Sequence, residues 1–313
     1  MLLGDNVSRT LFGIINELTN DLLIKLAING NAEKVIKEWR KECIEKLERS
    51  LQCSQESLRI IKEHYDKIIR AFKSMGLTTL EIDAILKDKG LFGVSQGIIY
   101  AMLEVGLNWD YLLDLPYIPS SSIKGSIRNT LIILCAIKAP SKLDCVRDVV
   151  KLLGWIESPS NEELKDMSKS LDISLNELSS IANEIHGISK IIFIDSYPIS
   201  CNGPLVERWV ITPHKVTSEG SEYDVSPIPL LHLVLRPGIK FKFLFALSDD
   251  ALNILNDLAL RLGVKGSPEV FFASVVCSTL EKGLGARTMK GYSRFKVINI
   301  KVRRTRGSMY HEP

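Results

Sequence analysis

The chain has 313 residues, of which 45% are hydrophobic and 25% charged, the composition of an ordinary globular protein with one large domain or two smaller ones. No apolar run approaches the roughly 20 residues that cross a bilayer, and the N-terminus lacks the basic region and cleavage site of a signal peptide, so a membrane or secreted protein is not expected and a cytoplasmic one is. The formal net charge of +3 is unevenly distributed, because residues 281–306 carry nine Lys or Arg and one Glu, which leaves −5 for the remainder.

The N-terminal part of the sequence predicts helices. Apolar residues recur at helical spacing over 8–29 and again over 31–75, where one long helix or two are possible and Gly76 supplies the stop. A further short helix is predicted over 78–88. We therefore expect residues 1–89 to form a helical extension, whose mixed-charge faces are either solvated or in contact with a partner subunit.

The pattern changes after residue 89. Glycine-punctuated alternation over 90–107 predicts a strand, a loop and a second strand. A loop then leads into a helix over about 121–138, which Pro140 ends. Residues 142–188 predict a helical insert in three pieces, at 143–154, 160–170 and 174–186.

From residue 190 onward the signal is mostly β. Three apolar or alternating runs predict strands at 190–198, 239–247 and 295–304. Two more runs flank a polar turn and predict a projecting hairpin; they are 208–216 and 227–235. Helices are predicted over 249–263 and 268–281. This order suits an α+β fold of the ferredoxin-like or RRM-like kind, with helices packed on an antiparallel sheet, in a domain that spans 90–313.

The six cysteines do not suggest a metal site. No Cys-x-x-Cys occurs, and Cys135 and Cys277 lie in apolar runs. We expect buried free thiols in a reducing compartment and no zinc.

One candidate binding segment lies at the start of the helix over 121–138. A serine there can cap the helix and leave other first-turn N–H groups free for a phosphate, which the helix dipole also favours. A glycine permits close approach of a sugar–phosphate backbone, and two cations one turn apart can reach the same polyanion. The residues concerned are Ser120, Ser121, Ser122, Lys124, Gly125 and Arg128. A capped helix with two surface cations is the simpler alternative.

A second candidate segment is the glycine loop GLGARTMKGYSRF at 283–295. Its glycines permit positive φ and expose amides that can cradle phosphates, and its cations lie between them. The segment matches neither a Walker loop nor a dinucleotide fingerprint, so no ATP or NAD site is predicted. The residues concerned are Gly283, Gly285, Arg287, Lys290 and Arg294. Together the two segments predict a single cationic path for a nucleic acid, since charge of this density attracts polyanions.

These two segments carry a family resemblance. LPYIPSSSIKGSIR (115–128) and the glycine loop resemble the helix start and the C-terminal loop of the RAMP superfamily of CRISPR proteins. EVGL (104–107), IIFIDSYP (191–198), and TPHK with the downstream DVSPIPLLHL extend the similarity to the family of sixth subunits of type III-B (Cmr) effector complexes. Two positions depart from the pattern: Ser120 and Ser293 stand where that family usually has glycine.

The resemblance implies a fold and a function. The fold is an RRM-like domain with inserts and a hairpin thumb at about 204–230, whose Trp209, His214 and Lys215 wedge at a base step of the guide–target duplex. The function is non-catalytic binding of guide RNA (crRNA) and target RNA in a Cmr complex for antiviral defence. There the subunit caps the backbone near the 3′ end of the guide, beside the repeated backbone subunit and the other Cmr subunits.

The sequence shows no arrangement typical of an active site. His214 is the one histidine of interest, because it follows Thr212 and Pro213 in a predicted loop. Asp195 follows a buried strand, where it can act as a base or simply cap a turn. We expect no enzyme activity, no metal and no cofactor. The alternative is a metal-independent RAMP endoribonuclease that processes repeat RNA, and a pure protein scaffold is a third possibility.

Overall fold

The computed structural model of the chain describes residues 10–28, 31–93, 95, 97–103, 105–154, 165, 168–169, 171–184, 187–211, 230–285 and 287–304. The helices are α1 (Leu11–Ile28), α2 (Ala32–Ser50), α3 (Gln55–Ser74), α4 (Gly97–Leu103), α5 (Ser120–Lys138), α6 (Lys142–Leu153), α7 (Leu175–Glu184), α8 (Asp249–Arg261) and α9 (Pro268–Lys282). The strands are β1 (Thr78–Leu86), β2 (Trp109–Asp110), β3 (Leu115–Pro116), β4 (Ile191–Phe193), β5 (Tyr197–Ser200), β6 (Val206–Ile211), β7 (Leu230–Leu235), β8 (Lys240–Leu247) and β9 (Phe295–Arg303).

An antiparallel sheet organises the fold, as the sequence predicted. Its order is β4-β8-β1-β9, and β5 pairs with β8 beyond the end of β4. One face is apolar because Phe241, Phe243 and Phe245 alternate along β8 and contact the rings of Phe272 and Phe295. The prediction of an α+β fold with helices packed on an antiparallel sheet is confirmed.

The other face of the sheet is polar and partly covered by α3. Lys242 of β8 lies between two carboxylates of β1, with its Nζ 3.1 Å from Glu81 and 2.9 Å from Asp83. The hydroxyl of Tyr65 on α3 accepts a hydrogen bond from the N–H of Tyr197 at 2.9 Å. The ion pairs link β8 to β1, and the Tyr65 hydrogen bond ties α3 to β5.

The short helix predicted over 78–88 is wrong. Residues Thr78–Leu86 form β1, which pairs with β8 on one side and β9 on the other. Leu80, Ile82 and Ala84 are fully buried at every second position, which is the period of a strand. Residues 78–86 are thus an inner strand of the sheet and no part of a helical extension.

Two further predictions of β structure need correction. The strand–loop–strand predicted over 90–107 contains the helix α4, in which Ile99, Met102 and Leu103 are buried at helical spacing. The single strand predicted over 190–198 is split into β4 and β5, and Pro198 lies inside β5. Proline is tolerated there because β5 is paired on one side only, as on other edge strands.

The remaining helices follow the predictions closely. The segment over 31–75 is two helices, α2 and α3, and Gly76 after α3 has a φ of 78°. Helices α6 and α7 correspond to the first and third pieces predicted for the insert, while most of the piece at 160–170 lies outside the described residues. In the described part of the chain, no helix is both long and apolar enough to cross a bilayer.

The two strands at the base of the predicted hairpin are present. Strands β6 and β7 pair from Val206↔Leu235 to Ile211↔Leu230, whereas residues 212–229, with His214 and Lys215, lie outside the described residues. Helix α2 braces this base, because the Arg208 Nε is 2.7 Å from a Glu48 carboxylate oxygen.

The expectation that all cysteines are free thiols is wrong. Cys53 is bonded to Cys201, and Cys135 to Cys145, with Cα–Cα distances of 5.8 and 5.7 Å. The first pair is separated by 148 residues, so spacing along the chain does not reveal it; the fold brings the two together where Cys53 N–H donates to the Gly203 carbonyl. Cys43 and Cys277 are free.

Candidate nucleic-acid interface

The two predicted binding segments lie side by side. Helix α5 packs against α9, and the buried hydroxyl of Thr279 donates a hydrogen bond to that of Thr130 at 2.9 Å. Because the glycine loop follows α9 directly, it reaches the outer face of α5. The two segments line one groove of about 720 Å³. Its lining includes Gly125, Ser126, Asn129, Ile133, Lys282, Gly283, Gly285, Thr288, Met289 and Arg294.

Gly125 lies at the N-terminal end of the α5 wall. Ser121, Gly125 and Asn129 are exposed at intervals of four residues and form a stripe along the helix. A Cβ built at Gly125 would meet no atom within 4 Å, so the packing of the fold does not require glycine here. Glycine inside a helix is destabilising by roughly 0.5–1 kcal/mol relative to alanine. Its presence leaves helix backbone bare at the surface of the groove.

The start of α5 differs from the prediction. Pro119 occupies the N-cap position and no side chain of a serine caps the helix. Instead, the N–H of Ser120 donates to the Asp195 carboxylate at 2.6 Å, and the N–H groups of Ser122 and Ile123 donate to the Pro119 carbonyl. The helix start therefore already holds an anion, which is a carboxylate of the chain itself. The predicted serine cap is wrong, and Asp195 has the capping role.

Lys124 and Arg128 lie on a flank of α5 and are absent from the lining of the groove. Both are half-buried, and an Arg128 Nη2 donates to the Gly154 carbonyl just after α6 at 2.8 Å. The pKa of Lys124 is lowered by burial and then by the charge of Arg128. Arg128 thus ties α5 to the end of α6, a structural role that the sequence did not indicate.

The glycine loop has a tightly constrained backbone. Gly283, Gly285 and Gly291 have φ values of 107°, 80° and 82°, which disfavour any residue with a Cβ. A Cβ on Gly285 would also lie 2.9 Å from the Leu91 carbonyl oxygen. The predicted need for glycine in this loop is met at all three positions.

Ser293 keeps the backbone shape that glycine usually provides. Its φ is 59°, a left-handed conformation that is unfavourable for a serine. The side chain is fully buried, and its hydroxyl accepts a hydrogen bond from the Leu91 N–H at 2.9 Å. The Ser293 N–H donates to the Lys89 carbonyl at 2.8 Å. These bonds hold the loop against the segment that follows β1.

The cations of the loop have different surroundings. Arg287 and Lys290 are exposed, and neither has an ion-pair partner among the residues that the structure describes. Arg294 lines the groove and its Nε is 2.8 Å from an Asp88 carboxylate oxygen. Lys282 is exposed at the end of α9, next to the acidic Glu281. The lining of the groove thus includes Lys282 and Arg294, while Arg287 and Lys290 are exposed on the same loop outside that lining.

The base of the hairpin lies near this loop. Trp209 on β6 is 40% exposed, and the Lys89 Nζ lies 3.6 Å from the centre of its ring, a cation–π contact. Lys89 is the same residue whose carbonyl binds Ser293. The sequence did not predict Lys89 or Asn129 as part of this interface. Asn129 could have been found from its spacing, since it lies four residues after Gly125 on the same helix.

A second, smaller groove of about 280 Å³ opens at the start of α5 and is lined by His64, Tyr65, Ser120, Asp195 and Tyr197 among others. Burial, followed by a hydrogen bond to Asp110, raises the pKa of Tyr197. The Tyr197 hydroxyl donates to Asp110 at 2.8 Å and Asp195 caps α5, whereas His64 is exposed at the rim of this groove. Within the described ranges, no three His, Cys, Asp or Glu side chains are grouped to hold a metal ion.

Comparison with known proteins gives a consistent result. The family model for the RAMP superfamily matches residues 101–296. The chain is 26% identical over 293 residues to "CRISPR system CMR subunit Cmr6" of Saccharolobus solfataricus, an alignment that covers 90% of this chain and 82% of that protein. A chain in the "Cryo-EM structure of the Type III-B Cmr-beta bound to cognate target RNA" is similar in fold, with a TM-score of 0.59, 23% identity and coverage of 88% of this chain and 78% of that one.

Proposed function

This chain belongs to the RAMP superfamily, whose model matches residues 101–296, and from that membership we propose that it is a crRNA-binding subunit of a type III-B CRISPR Cmr effector complex. The observation that carries the proposal is the groove in which Gly125 faces the glycine loop. In such a complex the chain caps the backbone near the 3′ end of the guide, contacts target RNA and neighbouring Cmr subunits, and does not itself cut RNA. Its place of action is the cytoplasm.

The groove suits a sugar–phosphate backbone for three reasons. Bare helix backbone at Gly125 permits close approach, and the side-chain amide of Asn129 can donate a hydrogen bond to a phosphate or 2′-hydroxyl oxygen. Arg287 and Lys290 supply positive charge at the loop. Contacts of this kind bind RNA without reading its sequence.

The hairpin supports the same proposal from the other side of the loop. Trp209 is held under Lys89 at the base of the hairpin, so its ring has a defined position from which to stack on a base. His214 and Lys215, which the resemblance also assigns to the thumb, lie outside the described residues and remain part of the proposal. Ser120, Ser121, Ser122, Lys124 and Arg128 remain proposed RNA contacts, with the helix start already occupied by Asp195.

A salt titration of RNA binding tests the proposal. The wild-type chain and the double variant Arg287→Glu with Lys290→Glu are titrated against fluorescent single-stranded repeat RNA at several salt concentrations. We expect the variant to bind more weakly and the slope of log K against log salt to fall in magnitude by about 1.4, since each lost phosphate contact on a single strand contributes about 0.7. The control Arg70→Glu with Lys73→Glu makes the same charge change on exposed residues of α3. Equal weakening in both double variants would contradict a site at the loop.

The endoribonuclease alternative rests on the second groove, where His64 lies near Asp195 and Tyr197. Incubation of the isolated chain with repeat RNA in EDTA separates the two functions. We expect intact RNA. Cleavage that His64→Ala abolishes would favour the nuclease.

A further inference from the structure

Strand β9 is an exposed edge of the sheet. Among the described residues only β1 pairs with it, so the backbone N–H and C=O groups of its outer side are available for pairing. Of its nine residues, only Phe295 is buried. An exposed edge strand is a template on which another strand can add.

Strand β9 exposes three large aliphatic side chains. Ile298, Ile300 and Val302 are 41%, 47% and 38% exposed. Ile300 and Val302 form one wall of a groove of about 430 Å³, and the outer side of α9 forms the other. Small side chains on α9, at Ala273 and Ser274, keep the groove open.

The two faces of the edge differ in charge. Lys301 pairs in register with Glu81, and Ile300 with Ile82, so the lysine points away from the apolar groove. Residues 295–304 contain no acid, and the cations Arg303 and Arg304 are already paired with Glu81 and Glu269. Lys296 and Lys301 are exposed without an ion-pair partner in the described part of the chain.

We infer that β9 binds an extended segment of a partner protein in which apolar and acidic residues alternate. Successive side chains of a strand point to opposite faces, so the apolar residues would enter the groove beside α9 while the acidic ones face Lys296 and Lys301. Main-chain pairing would supply affinity and the groove would supply specificity, as in other cases of strand addition. This protein-binding edge goes beyond RNA binding and does not depend on it.

Two other occupants fit the edge less well. RNA would need aromatic platforms along the strand on which its bases could stack, whereas the face of β9 beside α9 presents the aliphatic side chains of Ile300 and Val302. A second copy of the chain, paired antiparallel through β9, would bring the lysines of both strands together, and like charges across a strand pair are destabilising.

A designed peptide tests the inference. The probe is a fluorescein-labelled heptapeptide of alternating glutamate and valine, titrated into the full chain and followed by fluorescence anisotropy. We expect saturable binding that weakens by at least about tenfold, or 1.4 kcal/mol, when glutamate is replaced by lysine or when alternate amides are N-methylated. The peptide should also slow alkylation of Cys277, a free and half-exposed thiol in the groove.

Variants separate this surface from the RNA groove. Ile300→Glu and, on the helical wall, Val270→Glu should each abolish peptide binding, while Leu260→Glu, at an exposed position of α8 away from the groove, should not. All three should bind RNA as the wild type does. Absence of saturable binding, equal binding of the lysine peptide, or displacement by single-stranded RNA would overturn the inference. Dimerisation of the wild type that is lost in Ile300→Glu would also overturn it, because the occupant would then be a second copy. Tighter peptide binding by a chain that ends at Arg304 would overturn it too, because the occupant would then be the chain's own last residues.

Discussion

The carboxylate of Asp195 accepts a hydrogen bond from the backbone N–H of Ser120 at 2.6 Å, so the link between β4 and β5 caps the first turn of α5. Anions at a helix start are stabilised by the exposed N–H groups and by the helix dipole. A phosphate at the same point would meet this negative charge. The exposed stripe of Ser121, Gly125 and Asn129 is therefore the more favourable course for an RNA strand along α5.

Replacing Asp195 tests whether RNA binds at the start of α5 or along the exposed stripe. Asp195→Ala should lower the free energy of unfolding by about 1–2 kcal/mol, because the first turn loses its cap and its charge. Asp195→Asn keeps an acceptor oxygen and should have a smaller effect. Urea unfolding gives both values. RNA affinity should change by less than about twofold, or 0.4 kcal/mol; a large gain in affinity would show that phosphate binds at the start of the helix after all.

Gly125→Ala should separate stability from RNA binding. A Cβ at this position meets nothing within 4 Å, so alanine should raise the free energy of unfolding by about 0.5–1 kcal/mol through its better helix propensity. The same methyl group would stand where RNA backbone approaches, and RNA affinity should fall. Urea unfolding and anisotropy on the same samples measure the two effects. A variant that is more stable and binds RNA unchanged would exclude close approach at Gly125.

The glycine loop could be predicted from the sequence because glycines and cations are informative at short range. Gly283 and Gly285 have the positive φ that their residue type permits, and local chemistry alone suggests it. The partners of Arg128 and Ser120 could not be predicted in the same way. Gly154 and Asp195 are distant in sequence, and only the packing of α6 and β4 around α5 brings them within hydrogen-bond distance.

The misassignment of β1 has a different cause. Residues 78–86 contain acidic and apolar residues that also suit a helix, and the competing signal is the alternation of Leu80, Ile82 and Ala84. Tertiary pairing decides between them, since β1 gains neighbours on both sides only within the assembled sheet. Propensity is a weak prior when a segment lies at the centre of a fold.

Ser293 should tolerate glycine better than alanine. Alanine keeps the unfavourable left-handed φ and leaves the buried Leu91 N–H without its acceptor, so it should cost about 1–3 kcal/mol of stability. Glycine loses the same hydrogen bond but relieves about 1 kcal/mol of backbone strain. Thermal or urea unfolding of the two variants gives the ranking. Greater destabilisation by glycine would mean that the backbone of Ser293 is not strained.

The disulfides predict a definite thiol count. The unfolded, unreduced chain should present two reactive thiols, Cys43 and Cys277, and all six cysteines after reduction. Removing Cys53–Cys201 by paired alanine substitutions should destabilise by about 5 kcal/mol and removing Cys135–Cys145 by about 3 kcal/mol, because the longer loop restricts the unfolded chain more. Thiol titration and urea unfolding provide the measurements. Six reactive thiols before reduction would show that the chain folds with free cysteines.

His232 should make stability depend on pH. It is fully buried on β7, its Nδ1 is 3.4 Å from the Leu230 carbonyl oxygen, and its Nε2 has no hydrogen-bond partner among the described residues. Burial lowers the pKa of His232, and the charge of Arg287 lowers it further. The folded state therefore favours the neutral ring, while the unfolded state takes up a proton below its ordinary pKa of about 6.5. Stability should consequently fall as the pH drops below that value, with a slope of at most about 1.4 kcal/mol per pH unit.

The variant His232→Gln removes this proton uptake and keeps a polar side chain of similar length. Between about pH 5 and 6.5 its unfolding free energy should change less with pH than that of the wild type, even if it is lower overall. His64→Gln makes the same substitution at an exposed position of α3 and serves as the matched control for it. Parallel profiles of unfolding free energy against pH for His232→Gln and the wild type would contradict this prediction. Another group would then account for any loss of stability at low pH.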